Sequence, residues 1–186
     1  MIATSEFRKG LRIEFKGEPF EIADFQHVKM GRGGAIVRVK MKNIRTGSVL
    51  EETFRSGDKV ETPMLEEKAM QYLYGQDDLY YFMDTESFEQ VHLTEEQLGE
   101  SKRFLVENMV VKVLYYKEVP ITVEVPTFVE LKIVQTEPGF KGDTATGGSK
   151  SAILETGATV KVPLHLSEGD VIKVDTRTSE YIERVK

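Results

Sequence analysis

Residues 29–41 read KMGRGGAIVRVKM, a group of three glycines around an arginine followed by a regular alternating run. After the glycines, basic and apolar residues alternate along the chain. A β-strand directs successive side chains to opposite faces, so Arg38 and Lys40 are expected on one face and Val37 and Val39 on the other. A second β-patterned run precedes the glycines. The sequence therefore predicts a β-hairpin whose tip lies at the glycines.

The predicted tip holds one large side chain, Arg32, between Gly31 on one side and Gly33 and Gly34 on the other. Glycine permits positive φ and adds no bulk, so the arginine is expected on an exposed loop. Its guanidinium keeps its charge and offers five donors that suit phosphate or a stacked base. The alternative is a plain turn with an incidental arginine. The spacing is not that of a P-loop, which argues against nucleotide hydrolysis.

Positive charge is concentrated around this hairpin. Residues 25–50 carry six basic side chains and no acidic one, although the whole chain carries −6. Residues 1–63 sum to +3, residues 64–128 to −8 and residues 129–186 to −1. A local positive field attracts phosphate backbones, while the alternative is an ordinary solvated strand face. The candidate phosphate contacts are Lys29, Arg38, Lys40 and Lys42.

The rest of the chain also indicates β structure. Short β-patterned runs are separated by Gly- and Asx-rich turns, as in small barrels or sandwiches. Only residues 94–98 predict a helix, because Thr94 and Gln97 form a capping box before Gly99. The fold is therefore predicted to be all-β.

Two prolines, Pro63 and Pro126, lie at changes of composition. They divide the chain into predicted domains 1–63, 64–127 and 128–186. Each piece has about sixty residues, near the lower limit for independent folding, so the domains are expected to support one another.

A second glycine-rich loop lies at residues 137–150. Long loops between barrel strands often carry function. Here Gly142, Asp143 and Thr144 could offer an amide, a carboxylate and a hydroxyl to base edges. The alternative is a solvated linker loop.

Composition excludes several classes of protein. The chain has no Cys, and its three His residues are isolated, so no thiolate or histidine metal site is expected. No long apolar run or signal peptide is present, which predicts a cytoplasmic protein without a membrane span. No catalytic triad or carboxylate pair can be picked out. We expect no enzyme activity and no cofactor.

Several blocks in order resemble one family along essentially the whole chain. The most specific blocks are residues 31–35, 72–74, 136–150, 154–157 and 174–178. On these blocks the sequence resembles bacterial elongation factor P, which is related to archaeal and eukaryotic initiation factor 5A. A third domain and an arginine tip argue against initiation factor 5A itself.

The resemblance implies a KOW-like (SH3-like) N-terminal barrel and two OB-fold barrels in an L shaped like tRNA. It implies binding to both ribosomal subunits between the peptidyl and exit sites, at ribosomes stalled on consecutive prolines. The tip residue would reach the CCA end of peptidyl-tRNA and favour a reactive geometry, while the ribosome performs the chemistry. A ribosome-independent single-stranded RNA-binding or RNA-chaperone protein stays an alternative.

Carried over by resemblance, Arg32 takes the tip position and its glycine neighbours match the tip loop. Gly142, Asp143 and Thr144 match the loop near the exit-site mRNA codon. Tyr181 and Arg184 match C-terminal residues that approach tRNA.

The resemblance also raises the question of whether the tip residue is modified. Many relatives carry a modified lysine there, and Arg32 cannot accept that chemistry. Other relatives carry a rhamnosylated arginine, for which an arginine rhamnosyltransferase would be a partner. The region 136–150 is more similar to the lysine-bearing branch, so an unmodified Arg32 is the preferred interpretation and rhamnosylation stays open.

Overall fold

A computed structural model describes residues 1–139 and 148–186. The described residues form three successive β units, each built around an apolar core. The all-β prediction is thus confirmed. No helix within these two ranges is long and apolar enough to span a membrane.

The first unit is a four-stranded antiparallel sheet closed by a short strand pair. The sheet has the order β2–β3–β4–β5, and β1 pairs with β6. Its core contains Ile13, Phe20, Val37, Val39 and Phe54, all buried. The strands are β1 Ile2–Ala3, β2 Arg12–Phe15, β3 Glu18–Met30, β4 Gly34–Asn43, β5 Val49–Arg55 and β6 Lys59–Val60, with a 3-10 turn at Thr4–Glu6.

The second unit is a five-stranded sheet in the order β11–β10–β7–β8–β9. Asp77 and Asp78 both adopt positive φ between β7 and β8, as a two-residue hairpin turn requires. The core includes Phe82, Leu93 and Val113. The strands are β7 Leu65–Gln76, β8 Leu79–Asp84, β9 Gln90–Thr94, β10 Val110–Tyr116 and β11 Val119–Glu124.

The predicted helix is present as α1, Glu95–Leu98. Thr94 Oγ1 accepts from Gln97 N at 3.3 Å, and Thr94 N donates to Gln97 Oε1 at 2.9 Å. Gly99 ends α1 with φ 54°, as expected, but the chain continues as a 3-10 helix to Phe104.

The third unit is a five-stranded sheet in the order β14–β13–β12–β15–β16. Its core includes Leu131, Leu154 and Ile172, and also Phe104 from the 3-10 helix before β10. The domain boundaries drawn at Pro63 and Pro126 stay predictions. The strands are β12 Phe128–Thr136, β13 Ser149–Leu154, β14 Thr159–Pro163, β15 Val171–Asp175 and β16 Glu180–Arg184.

Candidate nucleic-acid interface

The tip of the β3–β4 hairpin is built as its glycines predict. The last two cross-strand pairs are Lys29 with Ala35 and Met30 with Gly34, and residues 31–33 form the turn. Gly34 has φ +81°, a conformation that L-residues with a side chain adopt at a cost. The turn therefore needs glycine at this position for a backbone reason.

Arg32 is exposed at the end of this turn. Among residues 1–139 and 148–186, no ion pair within 4.0 Å engages its guanidinium. An added Cβ at the neighbouring Gly31 or Gly34 would meet no atom within 4 Å, so the space around the tip is open. The arginine can therefore offer its whole donor fork to a partner.

The hairpin extends beyond the third strand of its sheet. β5 ends at Arg55, which pairs with Ile36 of β4. The pairs Lys29–Ala35 and Met30–Gly34 lie past this point. The Ser56 amide still donates to the Ala35 carbonyl at 2.9 Å, and beyond that bond the sheet has only two strands. At about 3.3 Å per residue, two pairs extend the arm by roughly 7 Å before the turn begins.

The base of the same hairpin is held by a polar network. Asn43 Oδ1 accepts from the amides of Arg45 at 2.8 Å and Thr46 at 3.0 Å. Arg45 donates twice to the Glu18 carboxylate, at 2.9 and 2.7 Å, and these bonds lower the pKa of Glu18. The turn after β4 is thereby tied to the start of β3.

The basic strand β4 alternates as predicted. Arg38, Lys40 and Lys42 are exposed, while Val37 and Val39 are buried. The period of two in the sequence thus separates a core face from a solvent face.

The solvent face is nevertheless not uniformly basic. Lys40 pairs with Asp24 on β3 and with Glu51 on β5. Arg38, by contrast, lies between Gln26 and Thr53, which are uncharged. Residues 25–50 contain no acid, but the strands beside them do. The positive charge of Arg38 is therefore less compensated by neighbouring carboxylates than that of Lys40.

The remaining cations of this unit divide between faces. Lys42 pairs with Glu21 and stays on the face of Arg38. Lys29 pairs with Ala35, which places it on the opposite face of the hairpin, in line with Val37. The four predicted phosphate contacts thus occupy two faces of the arm.

Sequence reasoning missed one cation on this surface. Arg55 is exposed and pairs with Ile36, on the same face as Arg38. Extending the alternation of β5 by one residue beyond Phe54 would have found it. Arg38 and Arg55 flank the base of the two-stranded arm.

The other predicted site residues belong to the third unit or fall outside the described ranges. Tyr181 is half-buried and packs against the core of the third unit. Arg184 Nη2 lies 3.2 Å from Asp170 Oδ1, so a phosphate would have to compete with that carboxylate. Gly142, Asp143 and Thr144 lie outside the described residues. All five assignments stay predictions.

The aromatic residues of the second unit belong mainly to its core and rim. Tyr72 and Phe82 are buried, and burial is the main cause that raises the pKa of Tyr72. Tyr74 is more exposed and stacks on Tyr81 with ring centroids 4.8 Å apart. Within the described residues, no group of three or more His, Cys, Asp or Glu is arranged to hold a metal ion.

Comparison with family models covers nearly the whole chain. Residues 3–60 match the elongation factor P KOW-like domain, residues 65–123 match the elongation factor P OB domain, and residues 129–184 match the elongation factor P C-terminal domain. These matches confirm the predicted order of a KOW-like barrel followed by OB-type barrels. The L-shaped arrangement stays a prediction.

Curated relatives match over their full length. The chain is 59% identical to elongation factor P of Thermodesulfovibrio yellowstonii over 186 residues, which is 100% of both chains. It is 56% identical to elongation factor P of Natranaerobius thermophilus, covering 100% of this chain and 99% of the relative.

Solved structures show the same fold at low identity. A translation initiation factor 5A from Methanococcus jannaschii matches with a TM-score of 0.53 at 22% identity, over 67% of this chain and 93% of the other. An initiation factor 5A family protein from Naegleria fowleri matches with a TM-score of 0.50 at 17% identity, over 66% and 94%.

Proposed function

The chain belongs to the elongation factor P family of translation elongation factors, and on this premise we propose that it stimulates peptide-bond formation on the ribosome. It binds between the peptidyl and exit sites, contacts both subunits and relieves stalling at consecutive prolines. It acts in the cytoplasm, as a factor and not as an enzyme. The ribosome performs the chemistry.

The observation that carries this proposal is the exposed Arg32 at the end of a two-stranded arm. Glycines surround it, no ion pair within the described ranges engages it, and the arm extends past the third strand. A permanent cation on a slender arm suits a narrow site lined by RNA. In this proposal the guanidinium contacts the CCA end of peptidyl-tRNA.

The physical effect of this contact is positioning. Proline is a poor partner in peptide-bond formation because its ring restricts φ and its nucleophile is a secondary amine. Holding the acceptor end of peptidyl-tRNA in a reactive geometry removes part of the entropic barrier. The protein then needs no acid, base or metal at the tip.

Cations along the arm hold the phosphate backbone in this proposal. Arg38 and Arg55 carry the largest share because uncharged residues flank Arg38 and both lie on one face. Lys29 serves the opposite face, and Lys40 and Lys42 contribute less because an acidic residue lies opposite each of them in a neighbouring strand. In the third unit the proposed contacts are Tyr181 and Arg184 with tRNA, and Gly142, Asp143 and Thr144 with the exit-site codon.

We further propose that Arg32 works unmodified. The bare guanidinium already supplies five donors and a permanent charge. Intact-mass measurement of the protein from its native cell shows whether the chain carries a modification. A mass equal to that of the bare chain supports the proposal, and the added mass of one deoxyhexose, located at Arg32 by peptide fragmentation, would instead show a rhamnosylated arginine made by an arginine rhamnosyltransferase.

A reconstituted translation assay tests the function. Ribosomes that translate a message with consecutive prolines are run with and without the purified chain, beside a message without them. We expect faster full-length synthesis from the proline message only. No effect on either message, with tight binding to free single-stranded RNA and a steep salt dependence, would favour the RNA-chaperone alternative.

A further inference from the structure

We propose that Arg12 is a positioning residue that fixes the first unit against the second and so sets the direction of the arm that carries Arg32. The proposal rests on the function proposed for the tip. It concerns the contact between units, and it assigns Arg12 no contact with RNA.

The Arg12 guanidinium bridges the two units. It lies on β2 of the first unit, where its Nη1 donates to Glu67 Oε1 of β7 at 3.3 Å. Its Nη2 donates to Glu124 Oε1 of β11. Its Nε lies 3.9 Å from Glu21 of the first unit's own β3. One side chain thus joins a strand of the first unit to two strands of the second, and we call Arg12, Glu67 and Glu124 the arginine bridge.

A second contact lies beside the arginine bridge. The buried Tyr116 of β10 places its hydroxyl within donating distance of the Glu14 carboxylate, and 3.2 Å from the carbonyl oxygen of Gly17. Both acceptors belong to the β2–β3 hairpin, so the hydroxyl has a partner there in either orientation. Tyr116 therefore contacts the same β2–β3 hairpin that carries Arg12.

Apolar packing completes the contact between the units. Leu114, Tyr116 and Ile121 form a small buried cluster of the second unit. Ile44 of the first unit and Leu65 pack against it. Apolar packing holds two surfaces together without fixing a direction, whereas a fork that engages two carboxylates on different strands defines one relative orientation.

The length of the arm amplifies any error at this contact. Arg12 pairs with Glu21 on β3, and Met30, the last residue of β3 before the tip turn, lies nine positions after Glu21. At about 3.3 Å per residue this distance is roughly 30 Å. A rotation of about 10° between the units would therefore move the tip by about 5 Å. Catalytic positioning is lost over displacements of about 1 Å.

The chain is well suited to a direct test of orientation because it contains no Cys. Spin labels on Lys59→Cys in the first unit and Glu86→Cys in the second report the distance between the units. Both positions are exposed and lie outside the arginine bridge. The distance distribution is measured in the full chain, for wild type, Arg12→Ala and Glu124→Gln.

We expect a narrow distribution for wild type and a broader or shifted one for each variant. The double variant Arg12→Ala/Glu124→Gln should be no worse than Arg12→Ala alone, because both changes remove the same contact. On the ribosome, Arg12→Ala should lower the maximal rate of proline–proline bond formation by about tenfold, with a smaller change in half-saturating concentration.

Lys9→Ala is the matched control, since Lys9 pairs with Asp24 within the first unit at 3.5 Å. It removes a cation near Arg12 in sequence but should leave the distance distribution and the rate unchanged. An unchanged distribution for Arg12→Ala, or a broadened one with a wild-type maximal rate, would overturn the proposal. If wild type itself failed to act on stalled ribosomes, the proposed function would fall while the distance measurement still tested the arginine bridge.

Discussion

Lys40 lies directly opposite Glu51 in the pairing of β4 with β5, and Asp24 pairs with Lys40 from the other side. The central cation of the basic strand therefore has a carboxylate on each flank. Arg38, two residues away, has Gln26 and Thr53 in the equivalent places. The two cations are adjacent on one face, yet their electrostatic surroundings differ.

This difference predicts unequal effects on ribosome affinity. Arg38→Ala should weaken binding and lower the slope of log affinity against log salt by about 1, as expected for one lost phosphate contact. Lys40→Ala should change the slope by less than half as much, because the carboxylates of Asp24 and Glu51 lie opposite Lys40 in the neighbouring strands and reduce the local positive field. Titrations of ribosome affinity at several salt concentrations measure the slope for each variant. Equal slopes for the two variants would contradict the proposal that Arg38 contributes more than Lys40 to phosphate binding.

The backbone of Gly34 gives a prediction about stability. Gly34→Ala forces a side chain onto φ +81° and should lower the free energy of unfolding by about 1 kcal/mol. Gly33→Ala should cost less than about 0.5 kcal/mol, because its new Cβ would meet only the Met30 Cβ, at an ordinary 3.9 Å. Urea denaturation of both variants makes the comparison. The reverse order would show that the turn does not require positive φ at residue 34.

The Glu18–Arg45 pair predicts a pH dependence of the first unit. The hydrogen bonds from Arg45 lower the pKa of Glu18 below its ordinary 4.5. A lowered carboxylate pKa stabilises the fold above the unfolded value, and the stabilisation is lost as pH falls through the folded value. Glu18→Gln should therefore cost about 0.5 kcal/mol near neutral pH, as an exposed pair does.

The cost of Glu18→Gln should shrink to nothing in acid. Melting curves of wild type and Glu18→Gln at a series of pH values measure this, with the two curves converging as pH falls below the ordinary 4.5 and through the lowered folded pKa. A constant difference across the series would mean that the carboxylate charge does not contribute.

Phe104 predicts a link between the second and third units. It comes from the 3-10 helix before β10 but is only 2% exposed within the core of the third unit. Phe104→Ala should cost about 3 to 5 kcal/mol and speed hydrogen exchange in β12 and β15. Phe88→Ala, at a residue 68% exposed, is the control and should leave exchange there unchanged. If Phe104→Ala left the hydrogen-exchange rate in β12 unchanged, the stability of the third unit would not depend on Phe104.

The local structure of the arm could be predicted from sequence because its causes are local. Alternation from Val37 to Lys40 identified the buried and exposed faces, and the glycines around Arg32 identified the turn. The capping box at Thr94 likewise located α1. Each of these signals acts within a few residues of the chain.

Contacts between distant residues could not be predicted in this way. The acids beside Lys40 come from other strands, so a count along residues 25–50 excludes them. Arg12 meets Glu124 across 112 positions of sequence, and Phe104 joins a core built from later strands. No periodicity in a single sequence specifies such pairs, which depend on how the units pack.

The proposed role of Arg32 is tested most directly by the rate of forming a single proline–proline bond on purified ribosomes, with wild type and Arg32→Ala at saturating concentration. Arg32 lies outside every core and ion pair in the described parts of the chain, so the variant should fold and melt as wild type does. We expect it to bind ribosomes within a few-fold of wild type and to lose about 10²-fold in rate, as a misplaced acceptor end would. A folded, ribosome-bound Arg32→Ala chain that matches the wild-type rate would contradict the proposed role of Arg32.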